Sequence, residues 1–306
     1  MIACLLNMID VVKRGSLIFI LLLTGVGCAI LKNDRHEIIA CGGHKIIVFD
    51  EEQSEGSDLK TVWQWDIGEA TQLPATYQKY LNPLDECKPV DGNSKLLVTS
   101  SGGGVVLLDR KSREILFYAY APMAHSAAIL PGNRIVVALS DHPNGNSIEV
   151  YDIKTPEKCL SRDSLFWGHG VVWMPRKERL YALGANDLQC YSLKNWNSNQ
   201  PELQLEKSWK LPAPGGHDLI SISDHELVIT EAENAWKFHL TKEQFKPFLP
   251  LNIPDIKSIN YNRNTKKLVY TKAETDWWTH HIYSKNPEKT YHIPDIDIYK
   301  ARIYPR

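Results

Sequence analysis

Three histidines, His125, His169 and His217, each open a segment of one shared plan, and Glu86, Lys257 and Lys300 stand at the equivalent position in three more. The segments read ECKPVDGNSKLLVTSS from Glu86, HSAAILPGNRIVVALS from His125, HGVVWMPRKERLYALG from His169, HDLISISDHELVITEA from His217, KSINYNRNTKKLVYTK from Lys257, and a short KARIYPR from Lys300. Imidazoles beside a carboxylate suit a divalent metal ion, so Glu86, His125, His169 and His217 form the expected metal arc. Lys257 and Lys300 oppose that arc with cations able to hold an anion such as a carboxylate. Residues two further along a strand point the same way, which adds Lys88 and Arg302 to the expected ligand-binding set. His169, mid-arc between Gly168 and Gly170, is the expected base for removing the proton alpha to a uronate carboxylate, as a lyase requires. The plainer alternative is a polar channel mouth in which histidines bond to neighbouring carbonyls and glycines permit close packing.

The elements that must carry these residues are short strands. From residue 36 onward, β-branched and aromatic runs closed by Gly, Asn, Asp or Pro dominate (KIIVFD, RIVVALS, SIEVYD, ELVITEA), and a period of 3.6 is almost absent. Five of the lead residues precede the first apolar residue of the next strand by 10, 10, 11, 10 and 11 positions, and successive leads lie 39, 44, 48, 40 and 43 residues apart. That is the length of a four-stranded propeller blade. The segment at Lys300 supplies only the first strand of a blade, and residues 37–50 and 61–66 supply only later ones. Joining them closes a six-bladed β-propeller over 36–306 and removes open edges. A β-sandwich would not explain the six-fold register. In a propeller the leads then ring one mouth of the central channel. Loops on the same face include Ser101, Ser140, Asp141, Asp187, Glu231, Trp277 and Trp278. The two tryptophans are expected mainly to pack blades, and the 68–85 insertion, with Tyr77, Lys79 and Tyr80, to cap the mouth.

Composition and the N-terminus set the outer limits. With 35 Lys+Arg against 36 Asp+Glu in 306 residues, the chain lacks the basic excess of a general nucleic-acid binder. Lys13 and Arg14 precede an uncharged run at 16–27, too short to span a bilayer. It reads as a signal-peptide core, followed by Cys28 as a site of lipidation and a tether at 28–35. Gly25 departs from the Leu or Val usual at that point of a lipobox. Cys41, Cys87, Cys159 and Cys190 form no C-x-x-C pair and read as buried free thiols. There is no G-x-S-x-G, phosphate loop or H-E-x-x-H.

In plan, the leader, Cys28 and the repeats resemble the uncharacterised six-bladed β-propeller lipoproteins of Gram-negative bacteria, including those of the polysaccharide-utilisation type. The resemblance implies a cell-envelope protein, periplasmic or surface-exposed, held to the membrane through its lipid only. The expected ligand is a glycan or another polar or anionic molecule at the channel mouth, with a protein partner also open. The alternative is a uronate-directed polysaccharide lyase with one divalent metal ion in its His-lined site. A fold shared this widely assigns no activity by itself.

Overall fold

A computed structural model describes residues 37–304, and the leader, tether and Cys28 lie outside them. Six four-stranded antiparallel sheets follow one another round a ring, as the repeat predicts. The first sheet joins the two ends of the described chain. Its innermost strand is Ile298–Tyr304, followed outward by Glu37–Gly42, Lys45–Glu55 and Asp58–Asp66. Cys41 pairs with Lys300, Ile39 with Arg302 and Glu37 with Tyr304. The other inner strands are Leu84–Val90, Ala124–Leu130, Gly170–Met174, Asp218–Ser223 and Ile256–Tyr261, one for each of the second to sixth blades.

Two-sided burial explains the apolar runs. Each blade is covered on both faces by its neighbours, so its middle strands are nearly continuous Val, Ile and Leu instead of alternating. Leu96, Val98, Val106 and Leu108 of the second blade pack on Ile39, Val48 and Trp65 of the first. Leu97, Val105 and Leu107, pointing the other way, pack on Ile135 and Val137 of the third. Strand turns close on left-handed residues, among them Gly132 and Asn133 (φ +78° and +59°), which are residue types that tolerate that region.

The 68–85 insertion does not cap the mouth. It forms a 3₁₀ turn at Ile67–Glu69, sealed by an Asp66/Glu69 capping box, and a helix at Ala75–Tyr80. The helix lies on the outer part of the second blade: Tyr77 packs edge-on against Tyr118 with ring centres 4.8 Å apart, and the Tyr80 ring lies tilted on Tyr120 at 4.5 Å. Tyr77 also donates its hydroxyl to Glu157 on the outer strand of the third blade. Cys41, Cys87 and Cys190 are buried free thiols as expected, but Cys159 is exposed, because the outer strand Thr155–Ser164 has only one covered side. No helix among the described residues is long and apolar enough to cross a membrane.

Candidate functional site

The ring of leads is real, but two of its six members are shifted by one residue. Near the start of the inner strand, the ladder of the second blade jumps from Leu84 to Glu86, that of the third from Ala124 to Ser126, and that of the sixth from Ile256 to Ser258. In the first blade it jumps from Ile298 to Lys300. Each jump leaves one bulged residue free to turn into the mouth: Asp85, His125, Lys257 and Tyr299. In the fourth and fifth blades, His169 and His217 stand just ahead of the first ladder pair, their N–H groups donating to the carbonyls of Leu183 and Thr230 at 2.8 and 2.9 Å. Asp85, His125, His169, His217 and Tyr299 therefore line the mouth, and Lys257 stands beside them against His217 and Trp277. Glu86 and Lys300 belong to the tier beneath, because a one-residue slip reverses the direction of a side chain.

The mouth opens into a cavity of about 280 Å³ lined by Asp85, His125, His169, His217, Tyr299 and the indoles of Trp167, Trp277 and Trp278, with Ser101, Met123, Ser140, Asp141 and Gly216 completing it. The rings pack closely, with centres 4.4 Å apart for His125 and His169, 5.4 Å for His169 and His217, and 5.9 Å for His125 and Tyr299. Trp278 meets Tyr299 edge-on at 5.5 Å. The tryptophans thus line the site instead of packing blades, and Trp277 keeps 63% of its surface exposed.

Hydrogen bonding fixes two of the imidazoles as acceptors. Nδ1 of His125 bonds to the carbonyl of Met123 at 3.0 Å, and Nδ1 of His169 to that of Trp167 at 2.8 Å. A carbonyl only accepts, so each Nδ1 carries the proton and each Nε2 is left with a lone pair. Burial, aided by the charge of Lys300, pushes His125 down to about 4. Burial and the two neighbouring imidazoles hold His169 well below its ordinary value. Burial, then Lys257 and Lys300, push His217 down to about 3. All three are neutral at pH 7. Asp85 is pushed up to about 7 by burial, against the opposing bonds from Ser101 and the charge of Lys300.

Below the mouth lies a buried ionic plug. Arg302 grips both oxygens of Asp218 at 2.7 Å and also donates to Glu86. Lys300 reaches Asp218 at 3.2 Å, and Lys88 reaches Glu86 at 3.1 Å. Lys88 also donates to Ser126 Oγ, Ala127 O and Val171 O at 2.8, 3.1 and 3.0 Å, so strands from the second, third and fourth blades meet on one ammonium. Burial alone would raise Glu86, but Lys300, Lys88 and Arg302 outweigh it and hold the carboxyl far below the ordinary range.

This arrangement corrects several expectations. Glu86 is turned into the plug, so the four-residue metal arc is not assembled. Among the described residues, no three His, Cys, Asp or Glu are grouped to hold a metal ion. Lys300, Lys88 and Arg302 are committed to Glu86 and Asp218, not offered to an anion in the mouth. His169 sits where expected, yet its depressed basicity makes it a weak proton acceptor. Its glycines serve packing: a Cβ at Gly170 would stand 2.7 Å from that of Leu219, and one at Gly168 would stand 3.0 Å from the carbonyl of Leu139.

The family described as "Family of unknown function (DUF6528)" matches residues 33–304. The chain belongs to this family. No curated protein matches it. Among solved structures, hydrazine synthase of Kuenenia stuttgartiensis is similar at 13% identity and a TM-score of 0.50, covering 71% of this chain and 68% of that one. At that identity the likeness concerns the fold alone.

Sequence reasoning missed Asp85, Asp218 and Tyr299. Asp85 lies 11 residues before Leu96, an offset the repeat already shows twice, so spacing could not choose between it and Glu86. The signal that could have found Tyr299 is its place directly before Lys300, on the assumption that the same bulge recurs.

Proposed function

We propose that this protein is an extracytoplasmic, lipid-anchored propeller that binds one or two units of a neutral glycan at its channel mouth. The observation that carries the reading is the composition of the cavity. Indoles of Trp167, Trp277 and Trp278 offer flat apolar faces for sugar C–H groups, and His125 and His169 present Nε2 acceptors to sugar hydroxyls. A volume of about 280 Å³ is at the lower end for ligand pockets, which suits a chain end or a short segment. Asp85 and Asp141 on the wall, with the lower cations already paired, favour a neutral sugar over an anionic one. The anchor rests on Lys13, Arg14, the uncharged run and Cys28.

Two measurements test this. Calorimetric titration with a panel of neutral and acidic oligosaccharides should find a neutral binder, and Trp277→Ala should weaken it roughly 5- to 10-fold, equivalent to about 1–1.4 kcal/mol of lost stacking. Equal affinity in the variant would overturn the reading. Cys28→Ser should move the protein from membrane to soluble fraction, and persistent membrane attachment would exclude the lipid.

A further inference from the structure

The inner strands carry three lysines at or near the channel, and one differs from the others. Lys88 and Lys300 have carboxylate partners in Glu86 and Asp218. Lys257 is also buried, with 3% of its surface exposed, yet among the described residues no carboxylate lies within 4.0 Å of its nitrogen. Its contacts are His217 Nε2 at 2.9 Å and the ring of Trp277, whose centre lies 5.4 Å from Nζ. Burying an ammonium without a counter-ion is costly, whereas a neutral amine can donate one N–H to the imidazole and keep its lone pair.

We propose that Lys257 is a nucleophilic amine that condenses with the carbonyl carbon of a small aldehyde or ketone held in the mouth, such as the open-chain form of a reducing sugar. The inference rests on the mouth being a ligand site. The step is balanced. The nitrogen lone pair forms the C–N bond, the C=O π pair moves to oxygen, and a proton passes from nitrogen to oxygen to give the carbinolamine. The nitrogen lone pair then expels the hydroxyl, which leaves as water carrying the remaining proton of the amine nitrogen, and a neutral imine remains. Nothing is oxidised or reduced. His217 orients the amine by accepting its N–H, and Trp277 gives the site an apolar cover of the kind that favours amine nucleophiles. Consistent with this, burial pushes Lys257 down to about 8. The titratable groups beside it are His217, which touches it, and Asp255, whose charge acts in the opposite direction.

The full chain would be treated with glycolaldehyde and sodium cyanoborohydride, which traps imines, and the lysines mapped by peptide mass spectrometry. At pH 7 an amine titrating at about 8 has roughly 300 times the free-base fraction of one at 10.5. Lys257 should therefore label more than about tenfold faster than the exposed Lys242, with a half-maximal rate near pH 8. His217→Asn should slow the labelling and shift that midpoint, and a purely structural role for His217 would leave the midpoint in place. Labelling of Lys257 no faster than Lys242 would overturn the proposal. If Lys257 fails to label while the parent still binds saccharide and Trp277→Ala weakens it, this inference alone fails. If Lys257 labels rapidly and no saccharide binds, the glycan reading alone fails.

Discussion

Asp218→Asn tests the plug with almost no change of shape. The carboxylate is 1% exposed and accepts from both terminal nitrogens of Arg302, from Lys300 and from the Ile259 N–H at 2.8 Å. With an amide in its place, Lys88, Lys300 and Arg302 face Glu86 alone. Breaking a buried pair by removing one partner costs about 3–5 kcal/mol, because the remaining charge stays out of water. Unfolding entropy of about 2.1 cal/mol/K per residue gives roughly 0.6 kcal/mol/K for a ring of this size, so the melting temperature should fall about 5–9 °C at pH 7. The pH dependence adds a second check. Burial raises the Asp218 carboxyl, but Arg302 and Lys300 prevail and hold it below its ordinary 3.8, so its stabilisation is full above that value and is lost as pH falls through the folded one. The gap between parent and variant, followed by circular dichroism melts, should be constant from pH 5 to 8 and close below about pH 3.8. A variant melting within about 2 °C of the parent at pH 7, or a gap that widens on acidification, would refute the reasoning.

Deleting residues 298–306 removes the inner strand of the first blade together with Lys300 and Arg302, so the whole ring should lose cooperative unfolding; a truncated chain that melts like the parent would sink the closure. The mouth histidines make acid destabilising. Held neutral in the fold, they contribute stability that is full above about pH 6.5 and is lost on acidification toward about 4 for His125 and about 3 for His217. Asp85, raised to about 7, acts with the opposite sign over the same range. His125→Gln should flatten the fall in melting temperature between pH 6.5 and 4, and parallel curves for parent and variant would exclude the effect.

The fold was legible because propeller blades repeat in sequence what they repeat in space. The apolar strand starts at Leu96, Ile135, Leu180, Leu227 and Leu268 mark the second strands, and YKARIYPR lacks partners that only residues 37–66 can supply. The histidines, and Ser101, Asp141, Trp277 and Trp278 on the loops, could be placed at one end of the channel for the same reason. What could not be read was the bulge. It inserts a residue without altering the apolar pattern after it, so Glu86 and Asp85 fit the repeat equally well, as do Lys300 and Tyr299, although their side chains point to different tiers. The plug was hidden by a related ambiguity. Its partners are contributed by the first, second and fifth blades and meet only across the channel axis, where spacing along the chain carries no information.

That geometry also imposes an order on synthesis. Glu86 is made early and Asp218 later, yet the cation that grips both, Arg302, lies on the strand of the ring that is made last. Until the strand Ile298–Tyr304 emerges and docks beside Glu37–Gly42, a nascent chain with five blades in place must leave those carboxylates facing an open, wet axis, with Lys88 alone beside Glu86. Drying the axis and closing the ring are thus one event. It waits on the strand made last, and a ring without that strand leaves Asp218 unanswered, and Glu86 with Lys88 alone, where its centre should seal.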